Sequence, residues 1–592
     1  MSLLAALLKD AGHDPKHTPQ HSTLGRIFLS EPVSASHELE RIDSLPRRRW
    51  QDRPDLPALV DRYTARFAKK PGLRLFDMQA LALAEMEQIG SVNVVASLGE
   101  GKTLVTALAP LLFDSKKPLF LNYKRLIDKT IREFRELAND WRICHDYTFL
   151  SIECLSREAY ADYLDRLRAD FVCIDEAHSL SNANGARFRR VRRYKDKCPQ
   201  VPILPLTATP GTASIGQYAH IQDLILGAGS PLPRDEGTLL EWREALDTEV
   251  IGQRRPAGAL ARWSSGGDEL TAVRLGVGTR IEQTPGNVYA RSAESVDCSI
   301  YITDYKLDLA PNMGELVECA WREAMLPDGR CFEELYNHAL ILKQLGSGYA
   351  KVLDPAPPLA WREARSLWGS FVRSIIGAED TYHLDTPAQV KGAVRSGEID
   401  DGGLLDAWLT IEPTFKPCTK TDWFDLSVLT YAAHWLARER GLVWVTQPTV
   451  GRALAKLSGL PFFHANGVDP LLGSIEAYDG STGAVLAVRP NMLGRNLQNR
   501  WSKNLYISPP SSATELDQSI GRTARRGQRA STVEVTFLLT VWENWASVTK
   551  ARSAALAERA LGKNDSSRLL LGDWCVTDLA TVNTWKGPLW KR

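Results

Sequence analysis

Twice along this 592-residue chain, short apolar runs of strand length alternate with segments of helix length. That rhythm fits a parallel sheet wrapped by crossover helices better than any other fold class. In the first block the runs are 92–96, 118–121, 149–152, 171–174 and 203–206; in the second they are 442–445, 485–488, 505–507 and 533–539. Between the blocks the pattern is helical, at 238–247, 313–325, 331–344 and 361–376, with breaks such as Ser264-Ser265-Gly266-Gly267-Asp268. The expected organisation is an N-terminal extension (1–70), a first α/β unit (71–212), a mostly helical insertion (213–430), a second α/β unit (431–545) and a helical C-terminal tail (546–592).

The formal net charge is only +1, so a surface attractive to nucleic acid, membrane or an acidic partner has to be local. With 44% hydrophobic and 24% charged residues the chain falls among ordinary globular proteins rather than disordered ones. The nine cysteines form no Cys-x-x-Cys pair and no Cys/His zinc set, so neither a zinc site nor a disulfide framework is expected. No apolar run is long enough to span a bilayer, and the first ten residues, charged too early for a signal peptide, read as a short amphipathic helix. The expected location is the cytoplasm.

The run 92–96 leads into Ala96-Ser97-Leu98-Gly99-Glu100-Gly101-Lys102-Thr103, and a helical pattern follows at once. Strand, glycine loop and helix N-terminus are the context that a phosphate loop requires. Glycines let backbone N–H groups curl inward, Lys102 brings positive charge to the outer phosphates, and the Thr103 hydroxyl can ligate Mg²⁺. Ala96 stands where such loops usually begin with glycine.

After 171–174 come Asp175-Glu176-Ala177-His178, with two carboxylates at the carboxyl end of a strand, where ligands of parallel sheets bind. Asp175 suits Mg²⁺, and Glu176 suits a water that attacks a γ-phosphate. Thr207-Ala208-Thr209-Pro210 follows another strand. In the second block stands Gln518-Ser519-Ile520-Gly521-Arg522-Thr523-Ala524-Arg525-Arg526-Gly527-Gln528. On a helix Arg522 and Arg525 share a face, with Gln518 one turn earlier. Two guanidinium groups so placed can reach a nucleotide held by the first unit and stabilise charge on its γ-phosphate.

In the order Gln79, 96–103, 175–178, 207–209, Gly494-Arg495-Asn496-Leu497-Gln498 and 518–525, these motifs resemble those of superfamily 2 helicases and translocases, over roughly residues 73–540. The last two are most similar to SWI/SNF-type double-strand translocases, and Arg280-Ile281-Glu282-Gln283-Thr284-Pro285-Gly286 resembles helicase-like proteins of bacteriophages and prophages. The resemblance implies two RecA-like parallel-sheet P-loop motor domains, ATP and Mg²⁺ as cofactors, and nucleic acid as partner, DNA in preference to RNA, in replication, recombination or repair. It implies that Gln79 reads the adenine, that Ser97, Leu98, Gly99, Glu100, Gly101, Lys102, Thr103 and Gly494 surround the nucleotide, and that Thr103 and Asp175 hold the metal. Glu176, Lys102, Arg522 and Arg525 would be catalytic; His178, Thr207, Thr209 and Gln518 would couple nucleotide state to movement. One departure is Leu121-Asn122-Tyr123-Lys124-Arg125, which replaces the family's Pro-containing segment after the second strand.

A motor indifferent to sequence grips phosphates. The basic stretches suited to that are residues 187–195, Lys124 with Arg125, and Arg47–Arg49, and the expected contacts are Arg187, Arg189, Arg190 and Lys124. Trp542, Trp545 and Trp574 are of the type that stacks on bases or fills a core. The competing functions are an RNA helicase and a nucleotide-dependent switch; the switch would have lost Glu176 or the arginines, and both are present.

Overall fold

The computed structural model describes residues 31–48, 55–96, 101–208, 214–247, 255–266, 270–290, 298–323, 335–353, 355, 357–377, 382, 384–416, 418–492, 494–510, 512–525 and 527–540. The expected helices at the two ends, and Trp542, Trp545 and Trp574, lie outside these residues.

The first unit runs α1 (His37–Ser44), α2 (Leu56–Phe67), α3 (Asp77–Ile89), β1 (Asn93–Val95), α4 (Lys102–Leu108), β2 (Pro118–Asn122), α5 (Lys124–Leu137), β3 (Thr148–Ser151), α6 (Tyr163–Leu167), β4 (Phe171–Asp175), α7 (Ala186–Lys197), β5 (Ile203–Thr207), α8 (Gly216–Leu226), α9 (Glu236–Leu246), α10 (Leu270–Glu282) and β6 (Asn287–Tyr289). Its six strands form a parallel sheet in the order β3-β2-β4-β5-β1-β6. Helices cover both faces, which is why the strands are continuously apolar instead of alternating. Residues of α1 and α7–α10 pack on one face, and those of α2–α4 with Phe134 of α5 pack on the other.

The expected boundary at 212 is overturned. β6 pairs with β1, so the first unit continues through residue 289 rather than ending at 212. The described part of the extension packs onto the first unit: Leu56, Val60, Tyr63 and Phe67 recur at helical spacing and bury one stripe of α2 against α3, while Leu39 and Ile42 of α1 are fully buried on the opposite face.

The second part runs β7 (Ser299–Lys306), α11 (Pro311–Glu323), α12 (Leu335–Leu345), β8 (Tyr349–Leu353), α13 (Leu359–Gly377), α14 (Pro387–Arg395), α15 (Leu404–Ile411), β9 (Thr419–Trp423), α16 (Ser427–Arg438), β10 (Leu442–Val445), α17 (Pro448–Ser458), β11 (Phe462–Phe463), β12 (Val468–Asp469), β13 (Gly473–Ser474), β14 (Ala484–Ala487), α18 (Val488–Asn491), β15 (Lys503–Tyr506), α19 (Ala513–Ile520) and β16 (Thr532–Leu539). Six of these strands form a second parallel sheet, β11-β14-β10-β15-β16-β7. β7, which the sequence pattern assigned to the helical insertion, is its edge strand. Two parallel-sheet units with a mostly helical region between them match the expected fold class, and the arrangement is consistent with tandem RecA-like domains.

Within the helical region β8 and β9 form an antiparallel pair that roots it in the second unit: the Tyr349 hydroxyl donates to Gln447 Oε1 at 2.6 Å, and Lys343 Nζ donates to the Pro509 carbonyl at 2.9 Å. α13, α14 and the segment after it share a small core of Val372, Ile375, Val390, Ala393 and Ile399. Among the described residues no helix is long and apolar enough to cross a membrane.

Candidate active site

β1 delivers the chain to the glycine loop, and α4 leaves it. Gly101, just before α4, has φ 78°, and a Cβ there would lie 2.1 Å from Gln79 Nε2, so this position demands glycine. Gln79 is 3% exposed; it donates Nε2–H to the Gly101 carbonyl at 3.2 Å and accepts from the Phe76 N–H at 2.8 Å. Its amide thus clamps the end of the loop. Lys102 Nζ folds back to the Ala96 carbonyl at 2.7 Å, so its charge sits over the mouth of the loop, and the Thr103 hydroxyl donates to Glu133 Oε2 of α5 at 3.3 Å. Ser97, Leu98, Gly99 and Glu100 lie outside the described residues.

Asp175 ends β4, between β2 and β5. Asn122, at the end of β2, donates Nδ2–H to Asp175 Oδ2 at 3.0 Å, and the Glu176 N–H donates to Oδ1 at 3.0 Å. Burial first, then the Glu176 charge, push the Asp175 carboxyl up to about 6, with Lys102 opposing. Glu176 adopts φ 54°, the left-handed region that a residue with a Cβ avoids unless its surroundings enforce it. It is 5% exposed, and its Oε2 has no hydrogen-bond partner. His178 Nδ1 lies 3.4 Å from that oxygen, yet burial holds the imidazole below its usual pKa, so at neutral pH this contact is not an ion pair.

The shift at Asp175 has a consequence for stability. Below pH 3.8 the carboxyl is protonated whether the chain is folded or unfolded; between that value and about 6 only the folded protein holds the proton. The contribution to stability is therefore full at low pH and is lost as pH rises through about 6. Urea unfolding of wild type and Asp175→Asn across pH 4–7 checks this: the variant should gain on wild type as pH rises, and parallel curves would exclude the shift.

Arg522 and Arg525 lie just beyond the end of α19 rather than on a helix as expected, and the second unit brings Arg522 within reach of the Glu176 charge, with Arg525 beside it. Arg522 is 2% exposed; its Nε donates to the Gln518 carbonyl at 2.9 Å and Nη1 to the Arg495 carbonyl at 3.3 Å, while Nη2 is buried without a partner. Burial, then repulsion from Arg525, lower its pKa to about 9, and the Glu176 charge of the first unit opposes that shift. At neutral pH the guanidinium stays charged. Half-buried Arg525 donates to Asn496 Oδ1 at 2.8 Å. The two units meet nearby: Arg125 donates to the Arg489 carbonyl at 2.5 Å, and Leu126 lies 3.1 Å from where a Cβ on Gly494 (φ 73°) would stand.

With that geometry in place, the comparisons with known proteins bear on the first unit. Residues 72–212 match the family model described as Type III restriction enzyme, res subunit. The match covers about a quarter of the chain and ends close to β5, so it takes in the glycine loop and the acidic box but none of the second unit. Among solved structures, the Sulfolobus solfataricus SWI2/SNF2 ATPase core in complex with dsDNA aligns at 14% identity over 83% of this chain and 96% of that chain, with a TM-score of 0.29. A likeness that loose bears on neither site nor activity. No curated protein matches the sequence. The bacteriophage resemblance has no counterpart in these matches.

The structure brings Asp175 and His178 within electrostatic reach of Lys102 and Glu176, and Arg522 within reach of Glu176. Thr207 is 2% exposed, and its carbonyl accepts from the Ala96 N–H at 2.9 Å, which ties its strand to the loop; Thr209 is outside the described residues. Sequence reasoning did not assign Asn122 or Glu133, although Asn122 sits in the segment that departs from the family pattern.

The expected phosphate contacts divide. Lys124 is exposed at the start of α5, and Arg187 donates to the Ser156 hydroxyl at 2.8 Å. Arg189 and Arg190, expected to contact phosphates at the surface, are instead 1% and 3% exposed and turn inward, because a buried carboxylate, Asp385, faces them. Arg48 likewise pairs with buried Glu85.

Proposed function

We propose that the protein is a Mg²⁺-dependent ATPase that couples ATP hydrolysis to movement on nucleic acid, DNA in preference to RNA. The observation that carries this reading is a pair of buried, unsatisfied groups from different units: Glu176 Oε2 from the first and Arg522 Nη2 from the second. An unpartnered carboxylate oxygen and an unpartnered guanidinium N–H are costly unless something completes them. A γ-phosphate with its attacking water supplies an acceptor to the arginine and a donor to the glutamate. Lys102, over the loop mouth, would then exchange the Ala96 carbonyl for phosphate oxygen.

Thr103 and Asp175 would hold Mg²⁺, which neutralises phosphate charge when bound; few protein ligands are needed because this ion keeps waters and substrate oxygens around it. Because Arg522 gains its anionic partner only with triphosphate present, nucleotide favours the state in which the units close on each other, and hydrolysis releases it. Gly494, where a Cβ would stand 3.1 Å from Leu126 of the first unit, lies where such closure would be felt.

The test is steady-state ATP hydrolysis with Mg²⁺, alone and with duplex DNA, single-stranded DNA or RNA. Stimulation by duplex at least as strong as by single strands is the expected result. Stimulation by RNA alone would overturn the preference for DNA, and a rate that no nucleic acid changes would favour a nucleotide switch.

A further inference from the structure

The inward turn of the α7 arginines joins the two units. Arg189 and Arg193 are one turn apart and Arg190 lies three residues from Arg193, so the three share a face. They converge on Asp385: Arg189 Nε lies 3.4 Å from Oδ1, Arg190 Nε donates to Oδ2 at 3.1 Å, and Arg193 donates Nη1–H to Oδ1 at 3.0 Å and Nη2–H to Oδ2. Asp385 belongs to the helical module rooted in the second unit through β8 and β9. It directly precedes Thr386, the N-cap of α14, and the capping glutamine, Gln389, accepts its N–H at 2.9 Å, which fixes the carboxylate. The Asp385 side chain is fully buried; burial alone would raise its pKa, but Arg193, Arg190 and Arg189 outweigh that and hold it below the ordinary value.

Charge and hydrogen bonding are both incomplete at this cluster. Arg189 and Arg190 have no carboxylate partner other than Asp385 among the described residues, so these two buried cations alone outnumber their counter-ion. Each also has a buried Nη2 without a partner. Their Nη1 groups donate to the carbonyls of Ile376 and Arg157, both at 2.6 Å, which satisfies hydrogen bonds without neutralising charge. A closed structural ion pair would leave neither deficit. An arginine face with donors to spare suits an anion with more oxygens than a carboxylate, repeated along a polymer.

We propose that Asp385 is a built-in phosphate mimic that occupies an arginine face of α7, a face that binds the phosphodiester backbone of nucleic acid once the strand displaces the helical module. The partner class rests on the nucleic-acid reading given above. While Asp385 is seated, the module ties the second unit to the helix that follows the acidic box. When a strand takes the arginines, that tie is lost and the units are free to move against each other.

The test uses the full-length protein with Asp385→Asn, which keeps the shape and removes the charge. Binding to duplex DNA, single-stranded DNA and RNA is measured without nucleotide over a range of salt. The variant should bind at least one of them about tenfold more tightly, with a salt dependence steeper by about one to three, since each new phosphate contact releases roughly 0.9 counterion on duplex DNA. Arg189→Gln with Arg193→Gln in the Asp385→Asn background should return both quantities to wild-type values. Against the chance that Asp385→Asn is poorly folded, hydrogen exchange on wild type gives a second measure: amides at 384–395 should lose protection when nucleic acid is added. Unchanged affinity and salt slope in a folded variant, or unaltered protection in wild type bound to nucleic acid, overturns the mimic. If wild type binds no nucleic acid at all, the functional reading fails with it; if wild type binds and the variant binds no better, only the mimic fails.

Discussion

Arg522→Ala should lower ATP turnover roughly 10³-fold or more, the range of an arginine that stabilises phosphoryl-transfer charge, and leave ATP affinity within a few-fold of wild type. The asymmetry follows from where the side chain stands. Its anchors, the Gln518 and Arg495 carbonyls, belong to its own unit, while its free Nη2 lies in the cleft within reach of the Glu176 charge. On the proposed reading, nucleotide held by Lys102 and the loop would not need it, whereas charge developing between the units would. Stability moves the other way. Removing a buried, under-neutralised cation costs little or even stabilises, so the inactive variant should melt no lower than wild type. Arg522→Lys should not restore turnover, because an ammonium's three donors radiate from a single nitrogen and cannot span both carbonyls and the cleft as the guanidinium fork does. Arg525→Ala should be milder: Arg525 is half-buried and already engages Asn496. Equilibrium nucleotide binding beside single-turnover hydrolysis separates these effects, and a variant that loses binding and turnover equally would remove Arg522 from the catalytic role.

What the sequence disclosed depended on how local the cause was. Strands buried on both faces are apolar throughout, so β2, β4, β5 and β10 could be found within a residue or so. β6 could not: three residues beginning with Asn287 just after Gly286 carry no strand periodicity, and their pairing with β1 is a tertiary fact. The stripe of Leu56, Val60, Tyr63 and Phe67 was present in the sequence but stood behind a segment rich in Pro and Arg. In the cleft, the positions of Lys102, Asp175 and Glu176 were legible, because a helix N-terminus and a strand end follow from the strand–loop–helix pattern, and their chemistry remains the proposal given above. Asn122 was not, since only the neighbouring of β2 and β4 brings its amide to Asp175. The arginines of α7 show the limit most clearly. Charge density marked them for phosphate, and nothing local says that a carboxylate almost two hundred residues away has taken their face.

Glu176→Gln should reduce turnover by roughly 10²–10⁴-fold with ATP binding retained or tightened, because the amide keeps the shape and loses both the base and the repulsion toward phosphate. A second substitution tests the backbone. At φ 54° a residue with a Cβ stores strain of about 1 kcal/mol or more, and glycine at this position stores none. Glu176→Gly should therefore be as inactive as Glu176→Gln while gaining stability, helped by removal of a buried carboxylate whose Oε2 lacks a hydrogen-bond partner. Lys102→Ala gives the contrasting pattern, loss of turnover through loss of triphosphate binding, since its ammonium is the loop's own charge. Persistent turnover in Glu176→Gln would show that another group orients the water. A Glu176→Gly protein less stable than wild type would show that the side chain supports the fold. If the Gly variant is instead more stable and inactive, the left-handed backbone at the end of β4 is strain held for catalysis, carried by the one residue of the acidic box whose carboxylate the folded chain leaves unsatisfied.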